Sequence, residues 1–422
     1  MAENIIYYGP PGTGKTYFMQ KLIEKYTDYE IADKDICSSY TVKSEEWLLM
    51  ALVIMQNNNP MSAPDIMTKI STLPLKYGGT ASDVLEEHSI KDSIMGLSRE
   101  QPRIFFEIDG KWFVDRLKLL EYDPDFMVKY MENAKIEKRY DFITFHQSFV
   151  YEDFIEGIRP SVDPITKTLI YDPQDGIFKK ICEKARSNPS KQFALFIDEI
   201  NRGNVSEIFG ELISLIELDK RAGQYCELEA VLPYSKTTFK VPNNLDIIGT
   251  MNSADKSIAT IDMALRRRFD FVNFPCDYVA LENALHVRGI VATNVDGIDV
   301  IRLLKVINKR IELLLDANHV IGHAFFMRVN NEMDVKNVIQ KKIIPLLEEY
   351  FFDDLQKIQM VLNDIDDTGA LVTNHIYAHQ ELDPDQLLNY IGDYAIEIKK
   401  IYSINNSFGK DAIKKIYDGV TV

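Results

Sequence analysis

"NIIYYGPPGTGKTYFMQKLIEKY", from Asn4 to Tyr26, joins a short apolar run to a glycine-rich turn and then to residues with helical spacing. Ile5 to Tyr8 reads as a strand. Gly9, Gly14, Lys15 and Thr16 then complete the pattern G-x-x-x-x-G-K-[ST], with the strand before it and the helix after it that a phosphate-binding loop requires. The backbone from Gly9 through Pro10, Pro11, Gly12, Thr13 and Gly14 is expected to wrap around phosphate, with the following helix offering the positive end of its dipole. Lys15 would reach the terminal phosphates and Thr16 would ligate Mg²⁺. An α/β fold with a parallel sheet follows from this opening.

A phosphate loop of this kind works with an acidic partner on a neighbouring strand, and "KQFALFIDEINRGNVSEIFGELISLIE", from Lys191 to Glu217, supplies one. Phe193 to Ile197 is an unbroken apolar run, as expected of a central strand covered on both faces. Asp198 and Glu199 come next, at its C-terminal edge, where open α/β sheets gather their ligands. Asp198 suits the shell of a Mg²⁺ ion and Glu199 suits polarisation of an attacking water. Taken alone, the pair could also be a helix N-terminal cap.

A third stretch, "IGTMNSADKSIATIDMALRRRFDF" from Ile248 to Phe271, repeats the design. An apolar strand from Leu245 to Gly249 ends just before Asn252 and Asp255, and a helix-like segment ends in Arg266, Arg267 and Arg268. Consecutive residues on a helix point about 100° apart, so the three arginines cannot all serve one phosphate in the same chain. At least one faces a neighbouring subunit, or else the three belong to a basic patch or an internal ion-pair cluster.

These stretches together resemble the McrB-like GTPases, the AAA+ motor subunits of McrBC-type restriction systems. The resemblance rests on GPPGTGKT (Gly9 to Thr16), TFHQSFVYEDFIEGIRP (Thr144 to Pro160), FIDEINRGNVSEIFGELISLIE (Phe196 to Glu217) and the M-N-x-x-D-R signature, here Met251, Asn252 and Asp255 followed by Lys256. IGHAFF (Ile321 to Phe326) and IYSINNSFGKDAIKKIYDG (Ile401 to Gly419) resemble the lid of that family. The resemblance implies an AAA+ core (1–39 and 139–275), GTP as substrate with ATP as the alternative, Mg²⁺, assembly into a homo-hexamer, and a McrC-like nuclease partner that cleaves DNA. It also implies that Asn252 and Asp255 position the water and that Arg266 and Arg267 meet the nucleotide of a neighbour. Lys256 departs from the signature arginine and keeps the charge without the planar fork. The chain begins eight residues before the loop, so recognition of methylated cytosine by a preceding domain is not carried over. An ATP-driven DNA motor and an NTP-switched scaffold remain alternatives.

Composition narrows the partners. Basic residues number 48 and acidic residues 64, a net charge of −16, so any grip on DNA must be local or delegated to the assembled complex. No run approaches the length of a membrane span and no signal segment opens the chain, which makes the cytoplasm the expected location. Cys37, Cys182, Cys226 and Cys276 form no CxxC pair and offer no metal framework.

Residues 40–138 read as an insertion resembling a winged helix. Helical spacing in SEEWLLMALVIMQNN, helix-start signals in PMSAPDIMTKI and a polar helix near 80–97 precede RIFFEIDGKWFV, a hairpin centred on Asp109-Gly110. From Thr41 to Leu120 there are 9 basic residues and 11 acidic ones, which favours a protein-contact or regulatory role over DNA binding. Arg159–Gly176 and Leu228–Asn244 read as hairpins, either pore-facing or plain surface excursions. Residues 276–422 read as a helical lid, within which His323 and Phe326 support the region near the nucleotide. His319 with His323, and His375 with His379, have the i,i+4 spacing of zinc helices but lack the glutamate that usually follows the first histidine.

Overall fold

A computed structural model describes residues 2–43, 45–57, 60–90, 100–131, 134–162, 167–255, 263–383 and 398–421. Its centre is a five-stranded sheet of β1 (Asn4–Gly9), β2 (Tyr140–Thr144), β3 (Phe193–Asp198), β4 (Leu245–Asn252) and β5 (Asp270–Asn273), in the order β5-β1-β4-β3-β2. Within it β3 pairs in parallel with β4, Phe193 opposite Leu245, and with β2, Ala194 opposite Tyr140. Residues Phe193 to Ile197 are all buried, which is why their sequence shows no alternation. The strand runs to Asn252, so that residue ends β4 and does not lie beyond it.

The chain divides into two compact units, one made of Met1–Ile6, Thr16–Thr250 and Ile261–Asp270, the other of Tyr7–Lys15, Met251–Thr260 and Phe271–Val422. In the first unit Arg221 acts as an internal staple. Its fully buried guanidinium donates to Asn4 Oδ1 at 2.6 Å, to Ile216 O at 3.2 Å and to Leu245 O, while burial pulls its pKa down to about 10. Asn4 in turn donates to Ile216 O and Arg268 O, so one buried polar cluster ties β1, the start of β4 and the arginine run together.

The first unit also contains the insertion. Helix Glu46–Gln56 is buried from Trp47 through Met55, and a helix apolar on every side has to be enclosed by its neighbours. Helix Ala63–Thr72 begins where PMSAPDIMTKI predicts, with the Ser62 side chain accepting from the Asp65 N–H. After helix Ala81–Glu87, strands Phe105–Ile108 and Lys111–Val114 form the expected hairpin, and both turn residues, Asp109 and Gly110, take positive φ. Met61 forms an isolated antiparallel bridge to Trp112 at the edge of that two-stranded hairpin. Arg116 is committed within the unit to the Tyr29 hydroxyl at 2.7 Å and to Glu24 at 3.5 Å. The hairpin expected over Arg159–Gly176 starts three residues earlier, as the antiparallel pair Glu156–Val162 with Leu169–Asp175, and Leu228–Asn244 contains a two-residue pair at Ala230–Val231 and Thr238–Phe239.

The second unit carries helices Tyr278–Val287, Val300–Leu314, Glu332–Val338, Ile344–Tyr350 and Gln356–Leu362 around a core that includes Leu285, Ile307, Ile311, Phe326 and Leu347. The purely helical expectation for 276–422 needs one correction. Tyr377–Leu382 and Lys399–Ile404 form an antiparallel hairpin, so His379 stands in a strand and HIYAH is not the face of a zinc helix. His319 and His323 also fall in separate 3₁₀ turns with Gly322 between them. Lys256 and residues 257–262 of the helix-like run lie outside the described residues, as do 163–166 and residues 91–97 of the polar helix expected near 80–97; the described end of the run is helix Met263–Arg266, with Arg267 and Arg268 in the turn that follows.

Candidate functional site

In the second unit the phosphate loop has the backbone that its glycines allow. Gly12 and Gly14 take φ of +74° and +85°, left-handed values that turn successive N–H groups to one side. Gly9 is required by space: a Cβ there would meet Phe274 O at 2.3 Å. The Lys15 ammonium, buried, donates to Gly9 O at 2.8 Å and to Pro10 O at 2.7 Å, and the Thr13 hydroxyl also donates to Pro10 O. Ser253 N–H donates to Gly9 O at 3.0 Å, which lays the signature segment beside the loop, and Asn252 Oδ1 accepts from Ala254 N–H. Asp255 is half-buried, and burial together with the charges of Glu349 and Asp255 pushes the Tyr350 phenol up.

In the first unit the acidic pair is held by hydroxyls. Thr16 Oγ1 donates to Asp198, at 3.2 Å from Oδ1. The Thr250 hydroxyl donates to the same Oδ1 and accepts from the Glu199 N–H at 3.1 Å. Glu199 takes φ +54°, a left-handed conformation that costs a non-glycine residue on the order of 1 kcal/mol or more and that clusters at functional positions. Its carboxylate lies 3.3 Å from Arg202 Nε. Sequence reasoning misses Thr250, although its place at the end of an apolar strand, two residues before Asn252, is a signal of the same kind as the one that singles out Asn252. One carboxylate with converging hydroxyls is a hard, all-oxygen donor set that fits Mg²⁺, an ion usually bound through one or two carboxylates plus water and phosphate.

The arginine run divides by burial. Arg268 is nearly inaccessible and pairs with Glu217 at 2.9 Å, so this member is the internal ion pair that the run allowed as an alternative. Arg266 and Arg267 are exposed, Arg267 lying 3.8 Å from the same carboxylate. Burial pushes Glu217 up, but the Lys220 hydrogen bond and the charges of Arg268, Lys220 and Arg267 hold it below the usual carboxylate range.

With these groups in place, residues 126–269 match the family described as AAA domain (dynein-related subfamily), and residues 299–359 match that described as McrB, alpha-helical lid domain. The type IV methyl-directed restriction enzyme EcoKMcrB subunit of Escherichia coli K12 is 36% identical over 247 residues, 55% of this chain and 51% of that protein. The chain carries an AAA domain and a McrB-type helical lid, and over about half its length it is similar to McrB. A second similar protein, the type II restriction enzyme BsuMI component YdiS of Bacillus subtilis 168, is 26% identical over 224 residues, 48% of this chain and 59% of its own length. The chain thus spans about half the length of the curated relatives it matches. The phosphate loop lies outside both matched family spans, so Gly9 to Thr16 stand on their own motif and geometry. Among the described residues no helix is long and apolar enough to cross a membrane.

Proposed function

We propose that this chain is a nucleoside-triphosphatase that prefers GTP and drives DNA cleavage by a partner in a restriction system. The observation that carries the proposal is the chain Thr16–Asp198–Thr250–Glu199, in which hydroxyl and carboxylate oxygens from three separate stretches converge. Lys15 precedes Thr16 directly, so the last residue of the phosphate loop and the first member of this hydrogen-bonded chain are neighbours in sequence. In this reading Gly9 to Lys15 bind the triphosphate, and Thr16 and Asp198 hold Mg²⁺, which when bound neutralises charge on the phosphates. Glu199 accepts a proton from the water that attacks the γ-phosphorus, and Asn252 and Asp255 orient that water.

Arg266 and Arg267 are exposed, which suits donation to the nucleotide of a neighbouring subunit; such a finger raises rate by on the order of 10³-fold or more. A ring, hexameric by resemblance, and a McrC-like nuclease partner in the cytoplasm complete the proposal. Residues 40–138 act as a winged-helix-like insertion between core pieces 1–39 and 139–275, with 276–422 as lid. The bonds of Arg116 to Tyr29 and Glu24 favour a protein-contact role for the insertion over DNA binding.

The test is steady-state phosphate release from the purified chain with GTP and ATP in parallel, at several protein concentrations. Preference for GTP with specific activity rising with concentration supports the proposal. Preference for ATP keeps the motor and overturns the base assignment, and tight binding without turnover, alone or with a nuclease partner, would favour an NTP-switched scaffold.

A further inference from the structure

The lid segment Ile321 to Phe325 is held at both ends of a short path that leads onto the phosphate loop. Asn308, buried on helix Val300–Leu314, grips Ile321 twice: its Oδ1 accepts the Ile321 N–H at 2.7 Å and its amide donates to Ile321 O at 2.9 Å. Beyond that grip, Gly322 N–H donates to Pro11 O at 3.0 Å and Ala324 N–H donates to Gly12 O at 2.9 Å. His323 sits between these two donors, with 5% of its surface exposed.

The hydrogen bonds of His323 decide where its proton lies. Nδ1 accepts the Asp277 backbone N–H at 3.0 Å. An imidazole nitrogen that accepts carries no proton, so in the neutral ring the hydrogen is on Nε2. That Nε2 lies 3.9 Å from the point to which a Cβ on Gly14 would project. Burial pulls His323 below its usual range, against the opposing charge of Asp277, which keeps the ring neutral near pH 7. A buried donor with its tautomer locked is therefore placed against the glycine that immediately precedes Lys15.

We propose that His323 is a nucleotide contact supplied by the lid, its Nε2–H donating to a phosphate oxygen of the nucleotide held by Gly12 to Lys15, with Asn308 as its positioning residue. The inference rests on the nucleotide reading above and adds to it a donor from outside the phosphate-loop motif. A donor to an anionic oxygen in a shielded position makes a strong hydrogen bond.

The experiment measures binding of fluorescent, non-hydrolysable GTP and ATP analogues to the full chain, His323→Ala, His323→Gln and Asn308→Ala, with thermal unfolding of each protein without nucleotide. Gln places its amide N–H near the position of Nε2. His323→Ala is expected to weaken both analogues by on the order of ten- to a hundredfold at unchanged unfolding temperature, with His323→Gln recovering part of the loss. Unchanged affinity in His323→Ala overturns the contact, and so does a loss that Gln fails to recover and that tracks a fall in unfolding temperature. A loss confined to one base moves the contact to the base and overturns the phosphate assignment. If the unsubstituted chain binds neither analogue, it is the nucleotide reading that fails.

Discussion

Replacing Gly322 by Ala tests the link between lid and phosphate loop at its tightest point. Gly322 has φ −73° and ψ 156°, a conformation open to any residue, so alanine meets no backbone strain there. Space is what it lacks. A Cβ would lie 2.0 Å from Gly12 C, 2.1 Å from Gly12 O and 2.5 Å from Pro11 O, where nonbonded carbon atoms rest at about 3.5–4.0 Å. These contacts are backbone on both sides, so no side chain can swing away. The two segments must part by roughly 1.5 Å at that point. Hydrogen bonds of 3.0 Å and 2.9 Å do not survive such a shift. At about 0.5–1.5 kcal/mol each, their loss removes roughly 1–3 kcal/mol of coupling between lid and loop, or about 5- to 150-fold in an equilibrium constant. Hydrogen exchange of the 322 and 324 amides should speed up by a factor in that range, and nucleotide affinity should fall with it. Exchange and affinity both unchanged in the variant would refute the close approach as the functional link.

The geometry sets four other outcomes. Glu199→Gln should keep nucleotide binding and assembly while lowering turnover by about 10²-fold or more, read by phosphate release; normal turnover would remove Glu199 as the base. Thr250→Val keeps the shape but deletes the hydroxyl that joins Asp198 to the Glu199 N–H, and should lower turnover by about tenfold, a net hydrogen bond or so, at little cost in unfolding temperature. Arg267→Ala should spare stability and lower turnover. Arg268→Ala should destabilise the fold by an amount near the low end of roughly 3–5 kcal/mol, because Lys220 still pairs with Glu217; denaturant unfolding separates the two arginines. The last outcome concerns acid stability. Fully buried Glu156 is pushed up by burial, but its hydrogen bonds from Lys179 at 2.8 Å and from the N–H groups of Tyr234 and Ser235 hold its pKa below the ordinary value. A carboxyl whose folded pKa is depressed contributes stability that is fully present above about pH 4.3 and is lost as pH falls through the folded value. Glu156→Gln should therefore flatten the acid limb of stability measured between about pH 3 and 6. An equally steep limb in the variant would assign acid unfolding to other groups.

Much of the site was legible because its parts are local. The phosphate loop declares itself over eight residues, since backbone N–H groups can close on phosphate only with glycine at set positions and a helix behind them. The acidic pair was legible for a similar reason: a buried parallel strand reads as one apolar run, and the residues directly after it lie at the sheet edge. Asp109-Gly110 declared a hairpin because few residue pairs tolerate two positive φ values in succession. The hairpin at Tyr377–Leu382 and Lys399–Ile404 was hidden because HIYAH has the spacing of four that suits a helix, while its partner strand begins some twenty residues later.

The sequence by itself determined the order of the chemistry along the chain, namely a phosphate loop, an acidic pair and a polar strand end followed by arginines, because each depends on residue types at fixed local spacing. Tertiary structure alone decided which arginine is buried against Glu217 and which are exposed, that Thr250 bridges Asp198 and Glu199, and that Gly322 and His323 lie against Gly12 and Gly14. Those properties belong to pairs of residues more than fifty positions apart, or to the burial of one group among several alike. Only packing brings such groups within hydrogen-bonding distance or removes one of three adjacent charges from water.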